Sequence, residues 1–132
     1  MERLILTNIF LVASCIQTQV FACEKLTTRY IDHKKPIIQK EVLCFEDEKP
    51  SSKNCTPILN KKCYFSKIKT DVSFKQFISP MGSPGFGLCY HLGGLPQIYE
   101  VEIKGQWKIF DRCFSADKKE FVDIDNLIRL YP

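Results

Sequence analysis

Ser83-Pro84-Gly85-Phe86-Gly87-Leu88-Cys89-Tyr90-His91-Leu92-Gly93-Gly94 is the stretch on which the reading of this chain turns. Ser83 is suited to cap a helix by accepting a hydrogen bond from its free N–H groups. Pro84 suits the first helical position, where a missing donor costs nothing. Gly93 suits the left-handed backbone that ends a helix. Gly85, Leu88, Cys89 and Leu92 fall on one face at helical spacing, so the segment predicts a short helix packed through that face.

Downstream, Leu95 to Ile103 alternates Tyr99, Val101 and Ile103 with Glu100 and Glu102, which predicts a strand turning at Lys104-Gly105. A three-residue loop, Ile103-Lys104-Gly105 with Gly105 in a bulge, would bring the apolar residues of both strands to one face. Val101 would then oppose Trp107, Tyr99 oppose Ile109, and Glu100 oppose Lys108. Cys113 falls on the Trp107/Ile109 side, where the helix carrying Cys89 would pack, and this predicts a Cys89–Cys113 disulfide. Phe121-Val122 reads as a short strand. Asp123 caps a last helix with Ile124, Leu127, Ile128 and Tyr131 on one side.

Upstream, Leu26–Ile31 and Ile37–Phe45 read as strands separated by a turn at residues 32–36. Glu46–Asn54, polar and interrupted by Pro50-Ser51-Ser52, reads as an exposed loop. Cys63–Ile68 reads as a third strand, and Asp71–Ile78 fits neither period. Ser79–Gly82 marks a boundary. The expected class is α+β, a small disulfide-stapled domain. Its division is 1–22 signal peptide, 23–80 antiparallel β-rich lobe and 81–132 helix–hairpin–helix lobe.

Arg3, the apolar run Leu4–Ala13 and Val20-Phe21-Ala22 before Cys23 have the form of an export signal, too short and interrupted for a membrane span. Val12-Ala13-Ser14-Cys15 offers a lipobox alternative, in which Cys15 carries lipid and anchors the chain to a membrane. Seven cysteines less Cys15 leave six: Cys23, Cys44, Cys55, Cys63, Cys89 and Cys113. An even set in a small exported chain reads as a disulfide framework. Beyond Cys89–Cys113 the pairing stays open, with Cys55–Cys63 closing a local loop and Cys23–Cys44 remaining as one assignment. The expected location is periplasmic or extracellular, or membrane-anchored through Cys15.

From Ser83 onward the residues resemble a short bacterial domain. It is found in exported proteins and lipoproteins, often labelled haemolysin and otherwise of unknown function. The likeness rests on Ser83-Pro84, Cys89-x-x-x-Gly93-Gly94, a hairpin, and Cys113-Phe114-x-x-Asp117, and covers at most residues 82–132. That family has Asn-Pro at the start and Gly after the Asp, where this chain has Ser83 and Lys118. Its later Cys and Trp are replaced by Phe121 and Val122. The label implies no pore, because no membrane-spanning pattern occurs in the segment.

The candidates for chemistry read as structure. Gly82-Ser-Pro-Gly85-Phe-Gly87 lacks the Lys-Ser/Thr of a phosphate loop. Cys89 and His91, two apart on a helix, point to different sides and do not form a nucleophile–base pair. No Cys-x-x-Cys occurs, and His33 and His91 lie far apart, so no metal or cofactor is expected. Asp111-Arg112 with Glu100 and Glu102 reads as the wet side of a hairpin. Asn54-Cys55-Thr56 matches a glycosylation acceptor with a bridged cysteine at its centre. Residues 23–80 hold twelve Lys and Arg against seven Asp and Glu, residues 81–132 six against seven. The lysines are interspersed with acids, which argues against a nucleic-acid partner. The expected function is non-catalytic, namely binding to a protein or cell-envelope component. The alternatives are a secreted inhibitor or toxin-like effector acting through the Glu46–Asn54 loop, and a small secreted hydrolase.

Overall fold

A computed structural model describes residues 22–79 and 82–132. The expected leader, with Cys15, lies outside the described residues, as do Pro80 and Met81 within the expected boundary. Six strands form one antiparallel sheet: β1 (Cys23–Asp32), β2 (Lys35–Glu46), β3 (Lys49–Ser51), β4 (Leu95–Ile103), β5 (Gln106–Phe114) and β6 (Phe121–Asp123). Their order is β3-β2-β1-β4-β5-β6, so residues 23–80 and 81–132 each give three strands to the same sheet. Helices α1 (Pro84–His91) and α2 (Ile124–Leu130) complete an α+β, strand-rich molecule with three disulfides.

The sheet curls until its outermost strands nearly meet. Ser52 donates from its N–H and from Oγ to the Phe121 carbonyl, both at 2.9 Å. The Ser51 Oγ accepts from the Asp123 N–H at 2.9 Å. This corrects the reading of Glu46–Asn54 as an exposed loop. Asp47 and Glu48 form a tight turn with φ of 51° and 64°, β3 returns along Cys44–Glu46, and Pro50 and Ser51 are buried. The serines act here as hydrogen-bonding partners for an edge strand, a role their turn-forming composition conceals.

The Lys104-Gly105 turn also differs from expectation. Ile103 pairs with Gln106, Glu102 with Trp107, Val101 with Lys108, Glu100 with Ile109 and Tyr99 with Phe110. There is no bulge. With φ of 51° and 77°, Lys104-Gly105 is a two-residue turn of the hand that matches strand twist. The bulged register assumed one apolar face, whereas this sheet is apolar on both. Tyr99, Val101, Phe110 and Phe114 line the inside with Leu26, Tyr30, Leu43, Phe45 and Phe121. Trp107 and Ile109 lie outside with Glu100 and Glu102.

At one end of the outer face, Cys113 and Val122 meet the helices in a second core with Leu88, Leu92, Ile124, Leu127 and Tyr131. Gly93, at φ +81°, ends α1, and Gly85 lets α1 approach α2, since a Cβ there would collide with Ile124. Ser83 takes the cap position without a side-chain bond. Asp123 caps α2, accepting from the N–H groups of Asp125 and Asn126.

Cys89–Cys113 ties α1 to β5 and Cys23–Cys44 staples β1 to β2 at directly opposed positions. Cys55–Cys63 closes a loop packed under the helices. Beside that last bridge the expected third strand, Cys63–Ile68, is instead a 3-10 turn over Tyr64–Lys67. The Ser66 hydroxyl donates to the carbonyls of Asn60 and Cys63, bending the backbone over the loop that the bridge closes.

Candidate functional site

The outer face of β2, β1, β4 and β5 carries the most unusual surface. Strand register aligns Ile38, Arg29, Glu100 and Ile109 in one rung across the four strands. The next rung toward the Lys104 turn holds Lys40 and Thr27 on β2 and β1, with Glu102 and Trp107 on β4 and β5. Toward the other end lie Pro36 and Ile31, then Ile98 and Asp111. Arg29 bonds Glu100 at 2.8 Å and its guanidinium stacks 3.9 Å from the Trp107 ring. Around this pair Ile31, Ile38, Val42, Ile98 and Ile109 are 55–70% exposed, with nothing over them among the described residues. Scattered exposed aliphatics are ordinary, whereas Ile31, Ile98 and Ile109 lie on the adjoining strands β1, β4 and β5, with Ile38 and Val42 of β2 farther round the curled sheet.

Beyond the Arg29–Glu100 pair β1 and β4 diverge, opening a cleft of about 670 Å³ lined by Tyr30, Ile31, Gln97, Ile98, Tyr99 and Phe114, among others. The edge of β4 from Leu95 to Tyr99 therefore has no strand partner on this side among the described residues.

Inside the curled sheet, Arg112 is fully buried. It bonds Gln97 through Nε at 2.9 Å and through Nη2 at 2.7 Å, and reaches both Glu41 oxygens at 3.0–3.2 Å. The rings of Tyr99, Phe114 and Phe121 lie 3.9, 4.4 and 4.8 Å from its guanidinium carbon. Burial acts to raise the Glu41 pKa, but the Arg112 charge and hydrogen bonds from Thr28 and Arg112 outweigh it and hold the carboxyl below its usual range. The Tyr99 hydroxyl, raised chiefly by burial, makes no hydrogen bond of good geometry to a described residue. Every donor of Arg112 that faces Glu41 or Gln97 is engaged, so the group acts as an internal polar strut.

Asp111, Asp123 and Asp125 gather around Lys49 in a small pocket of about 130 Å³. Lys49 bonds Asp125 at 3.0 Å. Burial pushes Asp123 up to about 6 and raises Asp111, whose neighbour Asp125 adds repulsion. The lysine already supplies this pocket's counter-charge.

The residues singled out for chemistry are dispersed. Asp111 faces outward while Arg112 faces inward, and Glu100 is engaged by Arg29. Cys89 is buried in its disulfide, and His91 is exposed on the surface beside Phe77. His33 lies at the tip of the β1–β2 hairpin. Cys55, Cys63 and Glu120 bring three ligand atoms within 4.8 Å, but both sulfurs are bridged and offer no thiolate. Among the described residues no helix is long and apolar enough to cross a membrane.

Comparison with family models, with curated proteins and with solved structures gives no match. The site therefore stands on its own geometry. Sequence reasoning missed the outer patch by placing Trp107 and Ile109 in the core. It missed Glu41 and Arg112 as partners, although both sit at alternate positions with inward-facing residues: Glu41 two from the buried Leu43, Arg112 two from the partly buried Phe110 and Phe114.

Proposed function

We propose that this chain is an exported, non-catalytic binding module that engages a protein of the cell envelope or extracellular space through the outer face of its sheet. The observation that carries this reading is the cluster of exposed Ile31, Ile98 and Ile109 on β1, β4 and β5 around the Arg29–Glu100–Trp107 stack. A rigid, uncovered apolar surface with a central aromatic and arginine is the composition of interface cores. Three disulfides call for an oxidising compartment, and the leader at residues 1–22 supplies the route. The same framework fits the exported haemolysin-labelled domains that residues 82–132 resemble, on a helix–hairpin–helix second half.

The inhibitor alternative loses its inserting loop, since Glu46–Asn54 is built into the sheet closure. The test replaces Ile98 and Ile109 together by Glu. Because both side chains already lie in water, the variant keeps its fold and three disulfides. Protein recovered from its producing cells should then elute as the free chain, where the parent elutes in a larger assembly. Identical elution of parent and variant would overturn the reading.

A further inference from the structure

The cleft between β1 and β4 is walled by strand edges, and we propose that an extended, uncharged peptide segment of a partner protein enters it as an additional strand of the sheet. This inference rests on the reading of the outer face as a binding surface and states how the partner is held. Pairing of the two strands stops at Arg29 and Glu100, and beyond that pair the cleft opens to about 670 Å³.

The two hairpins determine which backbone groups point into it. His33-Lys34 and Lys104-Gly105 both have positive φ at two central residues, so the residues flanking each turn bond to each other. Asp32 therefore directs its N–H and C=O to β2, and Ile103 directs its own to β5. Alternation along an antiparallel strand then turns those of Ile31 and Ile98, and the carbonyl of Pro96, into the cleft. Arg29 and Glu100 belong to the same two sets and are the last to meet across it. Pro96 fits this assignment, because a strand tolerates proline where no ladder bond needs the missing donor.

Size and charge decide the occupant. A strand takes up about 4.8 Å of sheet width, about 10 Å of thickness and about 3.3 Å of length per residue, or about 160 Å³. The cleft therefore holds about four residues, close to the unpartnered length of β4 from Leu95 to Tyr99. Its charged lining, Arg29, Glu100, Asp32 and Lys118, sums to zero, and the first two bond each other. Tyr30 and Phe114 flank it on the inner side, and the exposed Ile31 and Ile98 on the outer. A segment with apolar side chains on both sides and no net charge suits these walls. β1 and β4 run in opposite directions, so the entering strand pairs antiparallel with one and parallel with the other.

The test follows amide exchange by NMR in the full, disulfide-bonded chain. Without a partner the Ile31 and Ile98 amides should exchange freely, while those of Gln97 and Tyr99, bonded to β5, are protected. A displayed library of random eight-residue peptides is then selected against the chain, and the tightest binder is synthesised. Its addition should protect the Ile31 and Ile98 amides. N-methylation of either alternate set of its amides should weaken binding by about tenfold or more, since one set faces β1 and the other β4. Ile98→Pro withdraws the edge donor and should weaken binding similarly, whereas Ile98→Ala keeps the donor and should weaken it less. Each variant is checked for three disulfides by mass and for a parental circular-dichroism spectrum.

An Ile98 amide already protected in the free chain would overturn the inference. So would a library that yields no peptide protecting Ile31 and Ile98, or a peptide indifferent to N-methylation. Protection that grows with protein concentration alone would give the edge to a second copy and equally overturn it. If no peptide binds while the Ile98→Glu/Ile109→Glu exchange still dissolves a cellular assembly, strand entry fails and the binding reading survives. If that exchange also leaves elution unchanged, both fail.

Discussion

Arg112 and Asp123 are opposite neighbours in the sheet, and their electrostatics pull stability in opposite directions. Arg112 is wholly buried and depends on Glu41. Replacing Glu41 by Gln leaves that charge without a counter-ion, and should cost about 3–5 kcal/mol in urea unfolding. The Glu41 carboxyl is held below its usual range, so its contribution is fully present above the ordinary carboxylate pKa. It is lost as pH falls through the lower folded value. Asp123 runs the other way. Its folded pKa of about 6 lies above the unfolded value, so the folded state binds the extra proton and stability rises as pH falls from about 6 toward 4. Asp123→Asn keeps an oxygen for the Asp125 and Asn126 N–H groups while removing the buried charge. It should stabilise the protein at pH 8 by about 1–2 kcal/mol. Thermal melts of the variant should also lose the gain that the parent shows between pH 6 and pH 4. A variant that is less stable at pH 8 would show that the charged cap outweighs desolvation.

Among the elements, turns carry strain that sequence did not announce. His33-Lys34 and Asp47-Glu48 occupy left-handed backbone in two-residue hairpin turns without a glycine, and Lys118 does so at φ 58°. Turns of this kind are ordinarily marked by Asn-Gly or Asp-Gly, so the Glu46–Asn54 segment gave no hairpin signal. Lys118→Gly should raise stability by about 0.5–1 kcal/mol by relieving the Cβ clash, read as an upward shift in melting temperature. Helix α1 was legible because Pro84, Gly93 and the Gly85-Leu88-Cys89-Leu92 face act locally. The hairpin register was not, because Trp107 and Ile109 have the composition of core residues and only the position of the helices reveals that their face is left bare. Cys89–Cys113 was legible through the parity of Cys113 with Trp107 and Ile109, which the register error did not alter. Replacing both cysteines by Ser should cost about 2–4 kcal/mol, since the bridge joins residues 24 apart and anchors α1 to the sheet.

For the whole molecule, the curled sheet divides labour between its faces. The inside is filled by aromatics around the Arg112 strut, and the outside is shared between the helices and the bare patch. That division explains why composition alone pointed to a solvated surface. The lysines are indeed dispersed, yet β1 and β2 hold Lys25, Arg29 and Lys40 on one side of the patch, while β4 holds Glu100 and Glu102 on the other. Such an arrangement exists only once the strands are paired. The most direct measurement is photo-crosslinking from position 109 in the exported chain inside its producing cells, with position 61, in the disulfide-closed loop, as control. Discrete covalent adducts from 109 and none from 61 are the predicted result, their mass distinguishing a second copy from another protein. A folded, disulfide-bonded chain that gives no adduct from position 109 would contradict the assignment of the outer sheet face as the functional surface.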